Sequence, residues 1–86
     1  MRTLVIAEIG SCHDGAFGKA SRLIACAKEV GADVIKAQFW SSADRLADRR
    51  RVPDEYRQMY HRYRLPASWL GMMAQQAEAR DIEFMC

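Results

Sequence analysis

Four polar side chains stand at the ends of apolar stretches and could do chemistry there: Glu8, His13, Lys36 and Gln38. Glu8 interrupts the stretch from Thr3 to Ile9, and Lys36 and Gln38 interrupt the stretch from Val34 to Phe39. A carboxylate and an ammonium inside strands are costly to bury unpaired. Two readings follow. Glu8 and Lys36 form a buried salt bridge and nothing more, or Lys36 grips an anionic group while Glu8 contacts a hydroxyl or a developing cation. Charges of opposite sign suit a substrate with phosphate or carboxylate at one end and hydroxyls at the other. His13 lies in the turn-forming run Gly10-Ser-Cys-His-Asp-Gly15, where it is open to three roles: ligand, acid/base group or loop stabiliser. That run lacks the G-x-G-x-x-G pattern and the Walker lysine, so it carries no nucleotide signature. Cys12 reads as an inert small residue, and no Ser/His/Asp or Cys/His triad can be assembled. His61, among arginines and tyrosines, reads as solvated or docking.

The elements that must position these groups follow from periodicity. Thr3 to Ile9 reads as a strand bounded by Gly10. From about Phe17 to Val30 the apolar residues Ala20, Leu23, Ile24, Ala27 and Val30 recur at helical spacing, and Gly31 is placed to end that helix. Val34 to Phe39 reads as a second strand, making a βαβ unit with a parallel pair. A helix from about Pro66 to Arg80 follows, with Trp69, Leu70, Met73 and Ala77 on one side. Asp81 stands where glycine is expected, which makes a weaker cap. Ile82 to Cys86 reads as a third strand. The fold class is therefore α/β, a parallel β-α-β-α-β segment. Parallel strands are normally covered on both faces, so the chain reads as the opening of a larger α/β protein, stopped at a strand.

Alternation assigns the faces. Leu4, Ile6 and Glu8 share one face of the first strand, and Val5, Ala7 and Ile9 share the other. Val34, Lys36 and Gln38 share one face of the second, and Ile35, Ala37 and Phe39 share the other. The all-apolar faces suit packing under helices. The faces with Glu8, Lys36 and Gln38 turn polar toward the strand C-termini, where barrels and open α/β sheets build their sites.

Between the second strand and the last helix lies a connection holding seven of the ten arginines, Ser41 to Arg64. A short helix is expected from about Pro53 to Arg62, with Asp54 and Glu55 favourable to its dipole. Tyr56, Met59, Tyr60 and Tyr63 make a stripe along it. Arginines interleaved with tyrosines can bind single-stranded nucleic acid. Asp44, Asp48, Asp54 and Glu55 dilute that field, however, and the stripe resembles a packing face. An interface, or a segment lying over a ligand, fits better.

Composition sets the outer limits. Eighty-six residues, half of them hydrophobic and 28% charged, make at most one small globular unit. A net charge of +2 does not by itself call for nucleic acid or membrane. No apolar run approaches the roughly 18 residues of a membrane span, and the first stretch is too short for a secretory signal. Cys12, Cys26 and Cys86 are odd in number and widely spaced, which suggests free thiols in a reducing compartment and a cytoplasmic address.

Taken together, the strand motifs carry a resemblance. Ile6-Ala-Glu-Ile-Gly-Ser-Cys-His-Asp-Gly15 resembles the first-strand motif of the sialic acid (N-acetylneuraminate) synthase family, I-A-E-I-G-x-N-H-x-G. Gly31-Ala-Asp-Val-Ile-Lys-Ala-Gln-Phe39 resembles that family's G-A-D-x-V-K-x-Q, and Ile82-Glu-Phe-Met-Cys86 resembles its third strand. Cys12 stands where asparagine is usual, which puts that side chain's hydrogen bonds in question. Ala37 replaces a bulkier residue that faces the helices.

The resemblance implies the N-terminal portion, residues 1–86, of a (β/α)8 TIM barrel of which this chain holds three strands. It implies condensation of phosphoenolpyruvate with an N-acetylated amino sugar, giving a nine-carbon 2-keto sugar acid and phosphate. Glu8 would then be catalytic, hydrogen-bonding the sugar and stabilising an oxocarbenium-like centre. Lys36 would bind phosphoenolpyruvate, Gln38 would orient the site, and His13 would belong to the substrate-binding loop. A divalent metal, manganese or magnesium, is implied for the intact enzyme, with ligands on later strands. The partners implied are small substrates, with no nucleic acid or membrane, and a homodimer of the intact protein is compatible. The segment alone is expected to be inactive. The alternative is a small non-catalytic α/β binding or interaction module.

Overall fold

The computed structural model describes residues 3–86. Its elements are β1 (Ile6–Gly10), α1 (Phe17–Glu29), β2 (Val34–Ala37), α2 (Ala43–Arg50), α3 (Asp54–Arg62), α4 (Ser68–Ala79) and β3 (Glu83–Met85). The strands form one parallel sheet in the order β1-β2-β3. This is the α/β segment that the periodicity predicts, and three strands leave it open as a barrel.

Apolar spacing explains the helices that cover the sheet. On α1 the buried residues are Ala20, Ile24 and Ala27, a stripe along one side. Gly31 follows at φ +86°, a conformation glycine adopts without strain. The Ala32 amide then donates to the Ala27 carbonyl at 3.0 Å, turning the chain into β2. Helix α4 buries Met73 and Ala77. It ends the same way, except that Asp81 takes the left-handed position at φ 55°. The Ile82 amide donates to the Ala77 carbonyl at 3.0 Å, so the cap forms with aspartate in glycine's place.

One core joins these parts. Ile9, Ile35, Ala37 and Ile82 from the sheet side meet Ile24, Ala27, Met73 and Ala77 from α1 and α4, with Leu65 fully buried among them. Ala7 and Phe84 pack at its margin. The faces assigned to helix packing by alternation are thus covered at Ile9, Ile35 and Ala37, whereas Val5 on the same face is 50% exposed and Val34 on the other is buried. On the opposite face Leu4, Ile6 and Met85 are 63%, 46% and 43% exposed. At the N-terminal end of the sheet, the Val5 amide donates to Asp33 Oδ2 at 2.9 Å, and the Asp33 amide donates to the Val5 carbonyl, also at 2.9 Å. Asp33 therefore ties β1 to the start of β2.

Three boundaries differ from the sequence expectation. The first strand starts at Ile6 rather than Thr3, and the third is shortened to Glu83–Met85. The second ends at Ala37, because Ala37 pairs with Gly10, the last residue of β1. Gln38 and Phe39 accordingly sit in the loop after β2. The larger correction is α2, a second helix in the Arg-rich connection where only one was expected. Ser42 starts it, its Oγ accepting from the Arg45 amide at 3.2 Å, an N-cap arrangement. Arg51 ends it at φ 53°. Helices α2 and α3 pack on each other as an insert after β2, around Ala43, Ala47 and Tyr60. No helix among the described residues is long and apolar enough to cross a membrane.

Candidate active site at the strand ends

The C-terminal end of β1 is shaped by a bulge. Glu8 pairs with Lys36, but the next pair is Gly10 with Ala37, so Ile9 is an extra residue on β1. Ile9 stays buried in the core, and Gly10 adopts φ +48°. This bends the backbone so that the Gly10 amide donates to Glu8 Oε1 at 2.7 Å. A Cβ at Gly10 would lie 3.7 Å from Gln38 Oε1 and 3.8 Å from Glu8 Oε1. Both side chains thus lie over the strand end beside Gly10, at ordinary contact distances. Lys36 Nζ stands 3.9 Å from Glu8 Oε2. Three of the four residues singled out by type and spacing, Glu8, Lys36 and Gln38, are brought together.

In this three-strand segment the Lys36 and Glu8 side chains are 45% and 46% exposed, and their contact is long. A pair this wet adds little stability to the segment.

These side chains open onto a cavity of about 680 Å³, within the range of roughly 300–1,000 Å³ typical of small-molecule sites. Ser11 and Cys12 of the first loop line it, as do Phe39 and Trp40 after β2. The insert supplies the rest of the wall: Leu46 and Arg50 from α2, Met59 and Tyr60 from α3, and Tyr63 just beyond. Trp40 fastens the insert to the sheet. Its Nε1 donates to the Tyr60 carbonyl at 3.1 Å, and the two rings meet edge to face with centroids 5.8 Å apart.

Charge pairing holds the two insert helices together. Arg57 on α3 donates to Asp44 Oδ1 at 3.1 Å and to the Asp48 carboxylate, both on α2. His61 Nε2 lies 2.9 Å from Asp44 Oδ1, the docking role open to it from sequence. Hydrogen bonds from His61 and then Arg57 hold the Asp44 carboxyl below the usual carboxylate range. The Asp48 and Asp44 carboxylates in turn raise the pKa of Arg57.

His13 lies elsewhere. It is fully buried and is not among the residues lining the cavity. Its Nδ1 accepts from the Gly15 amide at 3.0 Å, which places the ring hydrogen on Nε2. That Nε2 has no hydrogen-bond partner. The ring sits edge to face against Trp69 at 5.6 Å. Burial lowers the His13 pKa from its ordinary 6.5, with the Asp14 charge opposing. The imidazole shapes the β1–α1 loop from behind, while its neighbours Ser11 and Cys12 reach the cavity.

Arg50, Trp40, Tyr60 and Tyr63 were not singled out as site residues by sequence reasoning. The Tyr60–Tyr63 spacing was visible as a helical stripe; Arg50 was hidden because α2 itself was. Among the described residues no three His, Cys, Asp or Glu side chains cluster closely enough to hold a metal ion. They do not make a site for the divalent ion that the resemblance implies, and what they offer is charge and hydrogen bonding. Cys12, Cys26 and Cys86 are unpaired and exposed.

No family model matches the sequence, and no curated protein matches it. Solved structures do. An N-acetylneuraminic acid (sialic acid) synthetase from Leptospira borgpetersenii serovar Hardjo-bovis, in complex with citrate, matches 99% of this chain at a TM-score of 0.85 and 22% identity. The spore coat polysaccharide biosynthesis protein SpsE from Bacillus subtilis matches 94% at a TM-score of 0.69 and 31% identity. This chain spans 28% and 22% of their respective lengths. The resemblance read from the strand motifs is thus matched in three dimensions at the level of fold: the chain is a parallel β-α-β-α-β segment shaped like one part of these two longer proteins.

Proposed function

We propose that residues 1–86 form the N-terminal portion of a barrel that condenses phosphoenolpyruvate with an N-acetylated amino sugar of the N-acetylmannosamine type. The observation that carries this reading is the meeting of Glu8, Lys36 and Gln38 around Gly10, at the carboxyl end of parallel strands and open to a cavity. The citrate complex of the Leptospira synthetase supports a small anionic ligand.

The chemistry assigns one task to each group. Carbon 3 of phosphoenolpyruvate forms a bond to the aldehyde carbon of the sugar, whose oxygen takes up a proton. Positive charge develops at carbon 2 of phosphoenolpyruvate. Water adds there, and loss of phosphate from the resulting tetrahedral centre leaves the keto acid. Lys36 holds the phosphate or carboxylate. The Glu8 carboxylate, fixed by the Gly10 amide, accepts from a sugar hydroxyl and opposes the developing positive charge. Gln38, beside it, orients the bound groups. Charges set in place before the reaction stabilise the transition state without reorganising.

Calorimetric titration of the 86-residue chain with phosphoenolpyruvate tests this reading. Saturable binding is expected, weakened about tenfold or more by Lys36→Ala and left alone by Lys28→Ala on the far end of α1. Binding that ignores Lys36 would sink it. An assay of the same chain with phosphoenolpyruvate and N-acetylmannosamine is expected to release no phosphate, because three strands do not enclose a barrel site.

A further inference from the structure

Behind the cavity, one buried side chain closes the β1–α1 loop. The Nδ1 of His13 accepts from the Gly15 amide at 3.0 Å. Backbone bonds shape the rest of the turn. The Cys12 amide donates to the Ile9 carbonyl at 2.8 Å, the Asp14 amide to the Ser11 carbonyl at 3.1 Å, and the Ala16 amide to the His13 carbonyl at 2.9 Å. Asp14 and Gly15 both take the left-handed conformation, at φ 52° and 71°. Asp14 does so at a steric cost that glycine escapes, so the turn depends on what holds it. The loop also reaches the insert: a Cβ at Gly15 would lie 3.3 Å from the Arg62 carbonyl oxygen. Ser11 and Cys12, on its other side, line the cavity.

The ring can hold this turn in only one charge state. Neutral, with its hydrogen on Nε2, it leaves the Nδ1 lone pair for Gly15. An imidazolium carries hydrogen on both nitrogens. Its Nδ1–H would face the Gly15 N–H, donor against donor, and its Nε2–H has no partner among the described residues. The surroundings do not compensate. Helix α4 presents the uncharged Trp69 ring, which Phe17 of α1 meets edge to face at 5.4 Å. The carboxylate that favours the imidazolium is Asp14 of the same loop, half exposed and paired with Lys19 of α1 at 3.1 Å. Burial outweighs Asp14, so the ring is neutral at neutral pH.

We propose that His13 is a positioning residue released by a proton: uncharged, it holds Ser11 and Cys12 at the cavity, and proton uptake at Nδ1 frees the loop from Gly15 and from the insert. This goes beyond the condensation reading, because it concerns the loop whatever anion the cavity takes.

NMR of the 86-residue chain, titrated downward from neutral pH, tests it. The ring nitrogens should report the Nε2–H tautomer at neutral pH. The Ser11, Cys12 and Gly15 amides should follow the His13 ring curve, with a shared midpoint below 6.5, while the Ile24 and Ile35 amides stay in place. His13→Asn, whose Oδ1 replaces Nδ1 as acceptor and does not titrate, should keep the neutral-pH loop shifts and lose their pH dependence. His13→Leu, with no acceptor, should show the low-pH loop shifts at neutral pH. His61→Asn should change nothing in the loop. The ratio of phosphoenolpyruvate affinities, native over His13→Asn, cancels the ligand's own titration. It should be near one at neutral pH and fall at least about threefold one pH unit below the midpoint. An Nδ1–H tautomer, loop amides that ignore the ring, or shifts retained in His13→Asn overturn the proposal. So do shifts that spread over the whole sheet with the ring, which mark loss of the fold rather than of the loop, and an affinity ratio that stays at one. Loop shifts as expected with no phosphoenolpyruvate binding at any pH would remove the condensation reading and leave the His13 device standing.

Discussion

The sheet with α1 and α4, and the α2–α3 insert, are held by different forces. The first is built from fully buried aliphatic side chains such as Ile24, Ile35, Leu65 and Met73. The second has a small centre of Ala43, Ala47 and Tyr60, supplemented by Arg57 between two aspartates and by the His61–Asp44 contact. Aliphatic burial is strong, non-directional and not screened by salt. Exposed ion pairs are weaker and screened. The cavity lies between the two regions and draws Glu8 and Lys36 from the stiff one, Arg50 and Tyr63 from the looser one. The charges lining the cavity thus come from both regions, Glu8 and Lys36 from the sheet and Arg50 from the insert.

The contrast is most easily broken in the sheet. Ile35→Ala should cost about 2–5 kcal/mol and raise hydrogen exchange throughout β1, β2, β3, α1 and α4, as judged by urea unfolding and amide exchange. A loss confined to a few neighbouring amides would show that the sheet is not one cooperative unit. Gly10→Ala should cost about 1–2 kcal/mol from its left-handed backbone. The new methyl itself meets Gln38 and Glu8 at ordinary contact distances. Its Tm should drop while the Lys36 environment shifts in the NMR spectrum. An unchanged Tm would remove the bulge from the account. In the insert, Tyr60→Phe should cost only about 0.5–1.5 kcal/mol, with faster exchange restricted to α2 and α3.

Two smaller effects sharpen the difference by solution conditions. His13 has its pKa lowered by burial, so the folded chain binds fewer protons there than the unfolded chain. Stability from this group is fully present above pH 6.5 and declines as the pH falls below it. Thermal melts across that range should show the decline in the native sequence and a shallower one in His13→Asn; equal slopes would contradict the assignment. Added salt should speed exchange in α2 and α3 before it affects the sheet, and Arg57→Ala should erase that salt sensitivity.

Much of the sheet region was legible because its signals are local. The Ala7/Ile9 and Ile35/Ala37 alternation identified the covered face, and Ala20, Ile24 and Ala27 identified the helix above it. Glu8 and Lys36 stood out as charges inside apolar runs. The insert was legible only in part. α2 buries just Ala43 and Ala47, too small and too few to give an apolar stripe, and its Ser42 cap is a short-range cue that an Arg-rich run obscures. Gln38 was placed on a strand that ends one residue earlier, because pairing with β1 stops at Gly10, a consequence of the bulge. Whether His13 faces the cavity or the core was beyond the motif, since Trp69, more than fifty residues later in the chain, decides it.

The central claim is that one carboxylate, one ammonium and one amide from adjoining strand ends face a single ligand site in which Lys36 holds the anion. An amide-resolved NMR titration of the chain with phosphoenolpyruvate tests it most directly. The account predicts saturable shifts at Glu8, Gly10, Lys36 and Gln38, lost together in Lys36→Ala, with α1 and α4 silent. Shifts centred on the helix-covered face, or no saturable shifts at all, would contradict it.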